Sequence, residues 1–143
     1  MNGNADSSEW LDFARMDLQS AKYLLNMYPV PIEIICYHCE QAAEKMLKGA
    51  LIAMDVDPPK THDLVLLCKL CSETDSEYLS LLDSCIELTP YGVQARYPAQ
   101  LELDESDMKS ALRESQKICA FVEQAISQEQ DQSQDAAMQQ PTM

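Results

Sequence analysis

His38, Gln41, Lys45 and Lys48 follow one another at intervals of three, four and three residues, a spacing that lines side chains up along one face of an α-helix. An imidazole, an amide and two ammonium groups in a row can neutralise an anion and donate directed hydrogen bonds to it. Lys60, Thr61 and His62 follow in the segment PPKTHDL, where a proline pair ends one helix and the next begins. The free backbone N–H groups of a helix start favour anions, so both sets are suited to phosphate. The competing reading is a solvated helix face, the usual place for charged residues.

The elements that must position these residues are helices. The chain has 143 residues with only 3 glycines, and it is rich in Leu, Ala, Met, Glu, Gln and Lys, which favour helix over sheet. The expected class is all-α, an up-and-down bundle of about five helices. In the helix over about 32–54, Ile35, Cys36, Cys39, Ala42, Ala43, Met46, Leu47 and Ala50 fall in one broad arc, wide enough to face a core. The polar stripe lies on another side of the same helix.

The first helix starts at Asp6 or Ser7, repeats Trp10, Phe13, Ala14, Ala21, Leu24 and Leu25 at helical intervals, and stops before Pro29 and Pro31. Asp17 falls on its apolar side, where a carboxylate is costly without a partner. It is expected to orient a nearby cation. Thr61 is expected to cap a third helix and Thr74 a fourth. A turn with a short helical piece covers 88–96, and a last helix begins at Asp104 or Ser106. Residues 1–127 form the expected domain; residues 128–143, rich in Gln and without large apolar repeats, are expected to stay disordered.

A net charge of −14 opposes an extended nucleic-acid surface, whose affinity rests on many phosphate contacts from Lys and Arg. A small cluster of cations remains able to act at short range. The start MNGNADSSEW lacks the basic and apolar runs of a secretory signal, and no apolar stretch nears the length of a membrane span. A cytoplasmic location is the default expectation. Cys36 and Cys39, like Cys68 and Cys71, form Cys-x-x-Cys pairs. Four thiolates can hold zinc, but these occupy core positions of helical patterns, where free Cys packs as a small apolar residue. Reduced packing thiols, no metal and no cofactor are expected.

CYHCEQAAEKMLKGALI, then PKTHDLVLL, then LTPYGVQARYP, preceded by ARMDLQSAKYLL, resembles the HEPN domain family over about residues 10–126. The resemblance implies a helical bundle that pairs as a homodimer and has a polar cleft for nucleotides. It also implies a nucleotidyltransferase partner, as in a toxin and antitoxin pair. By matching position, His38, Gln41, Lys45, Lys48, Thr61, His62, Tyr91, Arg96 and Tyr97 correspond to the family's recurrent polar set. Lys60 adjoins that set, with Asp17 behind it.

Many HEPN relatives are ribonucleases in which a His follows an Arg after four to six intervening residues. No His follows Arg96, Arg15 or Arg113 within that reach; His38 and His62 are the only two in the chain. The expected function is therefore binding rather than cutting. A ligand-free interaction module and a ribonuclease with Arg96 beside His38 or His62 are the alternatives.

Overall fold

In the computed structural model, residues 6–92 and 102–138 are described, with side chains described through residue 130. The helices are α1 (Ser7–Leu24), α2 (Ile32–Ala53), α3 (Leu64–Thr74), α4 (Leu82–Leu88) and α5 (Glu105–Met138), with 3-10 turns at Ser76–Leu81 and Thr89–Gly92. There is no strand among the described residues. The chain is an up-and-down helical bundle with α2 at its centre, packed against α1, α5, α3 and α4. The apolar arc of α2 accounts for this place: Ile35, Cys36, Cys39, Ala42, Ala43, Met46 and Leu47 are all 0 % exposed.

The Asp6 side chain caps α1 by accepting from the Glu9 N–H at 2.9 Å. Close approach to α2 is permitted by Gly49. A Cβ there would lie 3.1 Å from Trp10 Cβ, and the Ser7 hydroxyl donates to the Gly49 carbonyl at 2.9 Å. α2 ends in a Schellman closure, with Val56 N–H donating to Leu51 O at 2.9 Å and Asp55 N–H to Ile52 O at 3.0 Å. Asp55 occupies the left-handed position at φ 60°, where glycine is the commoner choice.

Two starts differ from the sequence expectation. Asp63, not Thr61, caps α3, its carboxylate accepting from the N–H groups of Val65 and Leu66. Asp75, not Thr74, caps the turn that leads to α4. In both, a carboxylate one or two residues downstream is the stronger acceptor for helix-start N–H groups. Asp104 and Asp107 each accept the other's backbone N–H at 2.9 Å, beginning α5. α5 continues to Met138, past the expected boundary at 127, because nothing from 128 to 138 breaks a helix and Gln, Glu and Ala sustain one. Ser115 on α5 donates to the Cys39 carbonyl at 2.7 Å, tying α5 to α2 inside the core.

Candidate functional site

α1 presents Asp17 to α2, where its Oδ1 lies 2.9 Å from His38 Nδ1 and its Oδ2 accepts from Lys45 Nζ at 2.5 Å. The carboxylate on the apolar side of α1 thus meets two groups of the α2 stripe. The side chains are 13 % exposed for Asp17, 28 % for His38 and 25 % for Lys45, so the cluster is shielded on most sides. A carboxylate on Nδ1 orients the ring and leaves Nε2 outward, the arrangement of a general base.

A second carboxylate organises the other half of the expected site. Glu44 Oε2 accepts from Lys48 Nζ at 3.2 Å and Glu44 Oε1 lies 2.8 Å from His62 Nδ1. Glu44 is 4 % exposed and its neighbour one turn earlier, Glu40, is 0 % exposed. Glu40 Oε2 accepts from the Gln41 amide at 2.8 Å, while Oε1 has no partner among the described residues. Burial, reinforced by the Glu44 charge, pushes the Glu40 carboxyl up to about 8. Near neutral pH a proton on Glu40 lets it donate toward Glu44, which removes the unpaired oxygen and the like-charge repulsion together.

The stripe on α2 therefore divides into two carboxylate-centred groups. It spans about 80° of the helix, enough for one edge to face α1 and the other the start of α3. Gln41 turns to Glu40. Thr61 Oγ1 accepts from the Asp63 N–H at 3.1 Å, and the α3 start expected to hold an anion is occupied by the Asp63 carboxylate and by Thr89 Oγ1. Tyr91 is 8 % exposed, packed rather than presented for stacking, and burial pushes its phenol up to about 12. Arg96 and Tyr97 lie outside the described residues, so an Arg96 contact with either histidine does too.

Glu40, Glu44 and Trp10 are the residues that sequence reasoning missed. Glu40 and Glu44 stand four apart, an unfavourable like-charge spacing on a helix, and they border the apolar arc; that combination was the available signal. Trp10 faces a cavity of about 370 Å³ together with Lys48, Lys60, Asp57, Pro58 and Pro59. Lys48 Nζ lies 5.8 Å from the centre of the Trp10 ring, within cation–π reach. Lys48 and Lys60 thus meet at one cavity with an indole face.

All six cysteines are free and buried. Cys68 Sγ donates to the Tyr78 carbonyl at 3.1 Å and Cys71 Sγ to the Leu47 carbonyl at 3.7 Å. No group of three or more His, Cys, Asp or Glu among the described residues is arranged to hold a metal. No helix among them is long and apolar enough to cross a membrane.

The characteristic HEPN domain pattern matches residues 7–125. The chain belongs to the HEPN family. Its bundle is similar to the crystal structure of TT1696 from Thermus thermophilus, at 27% sequence identity and a TM-score of 0.73, over 82% of this chain and 96% of that one. It is also similar in fold to ST0689, an archaeal HEPN homologue, at 20% identity and a TM-score of 0.68, over 86% and 99% of the two chains. No curated protein matches. As a HEPN domain, this chain departs from the family's ribonuclease pattern by having no His in the required reach of an Arg.

Proposed function

We propose that this HEPN protein is non-catalytic and binds a nucleotide or related phosphate ligand, working as a homodimer and beside a nucleotidyltransferase partner. The observation that carries the reading is the cavity shared by Lys48, Lys60 and Trp10. Two ammonium groups can neutralise phosphate and an indole face can stack on a base. Lys48 is already paired with Glu44, so it serves as a half-neutralised donor, while Lys60 supplies the exposed charge. His38 and Lys45 are spent on Asp17 and hold α1 to α2 beside the site.

Thermal shift against ATP, ADP, AMP, adenosine and inorganic phosphate tests this, because a ligand that binds only the folded state raises its stability. Nucleotide is expected to raise Tm in the wild type and to lose that effect in Lys60→Ala. A flat response to every compound overturns the reading. Co-purification with a nucleotidyltransferase encoded beside this chain tests the partner.

A second reading, a ligand-free interaction module, is favoured by the outer face of α1. Phe13 and Met16 are each 61 % exposed and Tyr23 is 77 % exposed; the three share one helical face, with Met16 and Tyr23 beside His38. Large apolar side chains grouped in this way mark contact surfaces. Light scattering of Phe13→Asp against wild type tests whether that face joins two copies: a dimer that persists in the variant is not built there.

A further inference from the structure

Behind the Lys48 and Lys60 cavity a chain of polar contacts runs into the core. Lys48 is 9 % exposed, and its ammonium stands 5.8 Å from the centre of the Trp10 ring. An ammonium has three N–H donors, and this one uses a single donor on Glu44 Oε2, at 3.2 Å. The other oxygen of Glu44 lies 2.8 Å from His62 Nδ1. Next inward is Glu40, fully buried, with Oε2 on the Gln41 amide and Oε1 without a partner among the described residues.

One cation is thus set against two carboxyl groups. With a proton between Glu40 and Glu44 the pair carries one negative charge, Glu44 is shared by Glu40, His62 and Lys48, and Lys48 keeps donors for the cavity. Without that proton, two like charges stand one helical turn apart in a buried site. Glu40 has no room to swing away, because the Thr89–Gly92 turn packs onto its carboxyl group. Burial and the Glu44 charge push the Glu40 carboxyl up to about 8, and Lys48 is the cation that opposes this. The same turn carries Tyr91, whose phenol burial keeps neutral through this range, and the loop before α3 contributes His62.

We propose that the proton shared by Glu40 and Glu44 is a switch on the Lys48 and Lys60 cavity: its loss draws Lys48 inward and lowers affinity for a phosphate ligand. The inference rests on the phosphate binding proposed for that cavity and adds its regulation. Glu40 and Glu44 act through Lys48 and are positioning residues. By linkage, a phosphate ligand that needs the protonated pair takes up a proton as it binds.

Trp10 is the single tryptophan of the chain, so its fluorescence reads ATP titrations of the full protein at the cavity itself. Between pH 7.5 and 9 the phosphates of ATP stay ionised and ordinary lysines stay protonated. Wild-type affinity for ATP is expected to fall about threefold over that interval, the scale of adding one charge behind the site. Glu40→Gln, whose amide replaces the protonated acid, is expected to keep the tighter affinity at both pH values, and His62→Gln to keep the wild-type fall. Calorimetry of the wild type at pH 8 in Tris and in HEPES, buffers of different ionisation heat, is expected to show uptake of roughly a third of a proton per ATP bound. That measurement needs no variant to fold. Equal wild-type affinity at both pH values, a fall that survives in Glu40→Gln, a fall lost in His62→Gln, or no proton uptake would each overturn the switch and leave nucleotide binding standing. No response of Trp10 to ATP at either pH would remove both.

Discussion

Gly92 lies so close to Glu40 that a Cβ at position 92 would fall 2.7 Å from Glu40 Cδ and 2.9 Å from both carboxylate oxygens. The turn after α4 thus closes over the one fully buried carboxyl of α2, and the absence of a side chain at 92 permits the closure. Gly92→Ala is expected to destabilise the fold by about 1–3 kcal/mol, the usual cost of overpacking a filled core. Urea denaturation checks this. Because the clash is with the Glu40 side chain, Gly92→Ala in a Glu40→Ala background is expected to cost much less, a non-additivity that a double-mutant cycle reads directly.

Glu40 also imposes a pH dependence. Its folded-state pKa, about 8, lies above the ordinary 4.5, so between those values the native state holds a proton that the unfolded chain has released. The sign follows from linkage: this group's contribution is fully present below about 4.5 and is lost as pH rises through about 8. Wild-type stability is expected to fall between about pH 4.5 and 8 relative to Glu40→Gln, whose amide donates to Glu44 at every pH, and to level off above that. At pH 9 the variant is expected to be the more stable by about 1–3 kcal/mol, the cost of an unsatisfied buried polar group. Parallel melts of the two proteins across that range measure the difference, and equal slopes would remove Glu40 as the cause.

Asp17 joins His38 and Lys45 from a position 13 % exposed. Asp17→Asn keeps the shape and removes the charge, leaving Lys45 to donate to a neutral oxygen. A loss of about 1–2 kcal/mol is expected, between the values for exposed and buried pairs. The Asp17→Asn and Lys45→Gln cycle should return a coupling on the order of 1 kcal/mol. Strict additivity would mean that the pair contributes nothing to holding α1 on α2.

The thiols are expected to be inert while the fold is intact. Burial pushes Cys36, Cys71 and Cys119 each up to about 12, leaving little of the reactive thiolate at pH 8, while Cys68, which a hydrogen bond with Cys85 holds below the ordinary thiol range, is shielded by being 0 % exposed. Ellman's reagent is expected to label the native chain slowly and all six cysteines on unfolding. Zinc is expected to leave Tm unchanged, since Cys68 and Cys71 direct their thiols to backbone carbonyls. A stoichiometric zinc content after purification without chelator would contradict this.

The local pattern of this sequence determined the all-helical class, the course of α1, α2 and most of α5, and the buried face of α2. Helical periodicity and proline placement act within a few residues of themselves. The need of Asp17 for a cation was readable for the same reason, as a carboxylate placed on an apolar helix face. Only the tertiary structure decided what the polar stripe touches. Lys45 faces a carboxylate 28 residues earlier and His62 one 18 residues earlier, and Lys48 meets Lys60 and Trp10 at one cavity, relations set by how helices cross. The same packing made Glu40 and Glu44 interior residues. Spacing along one helix assigns side chains to a face, but their charge partners come from neighbouring helices, and with them the difference between free cations and ones already held.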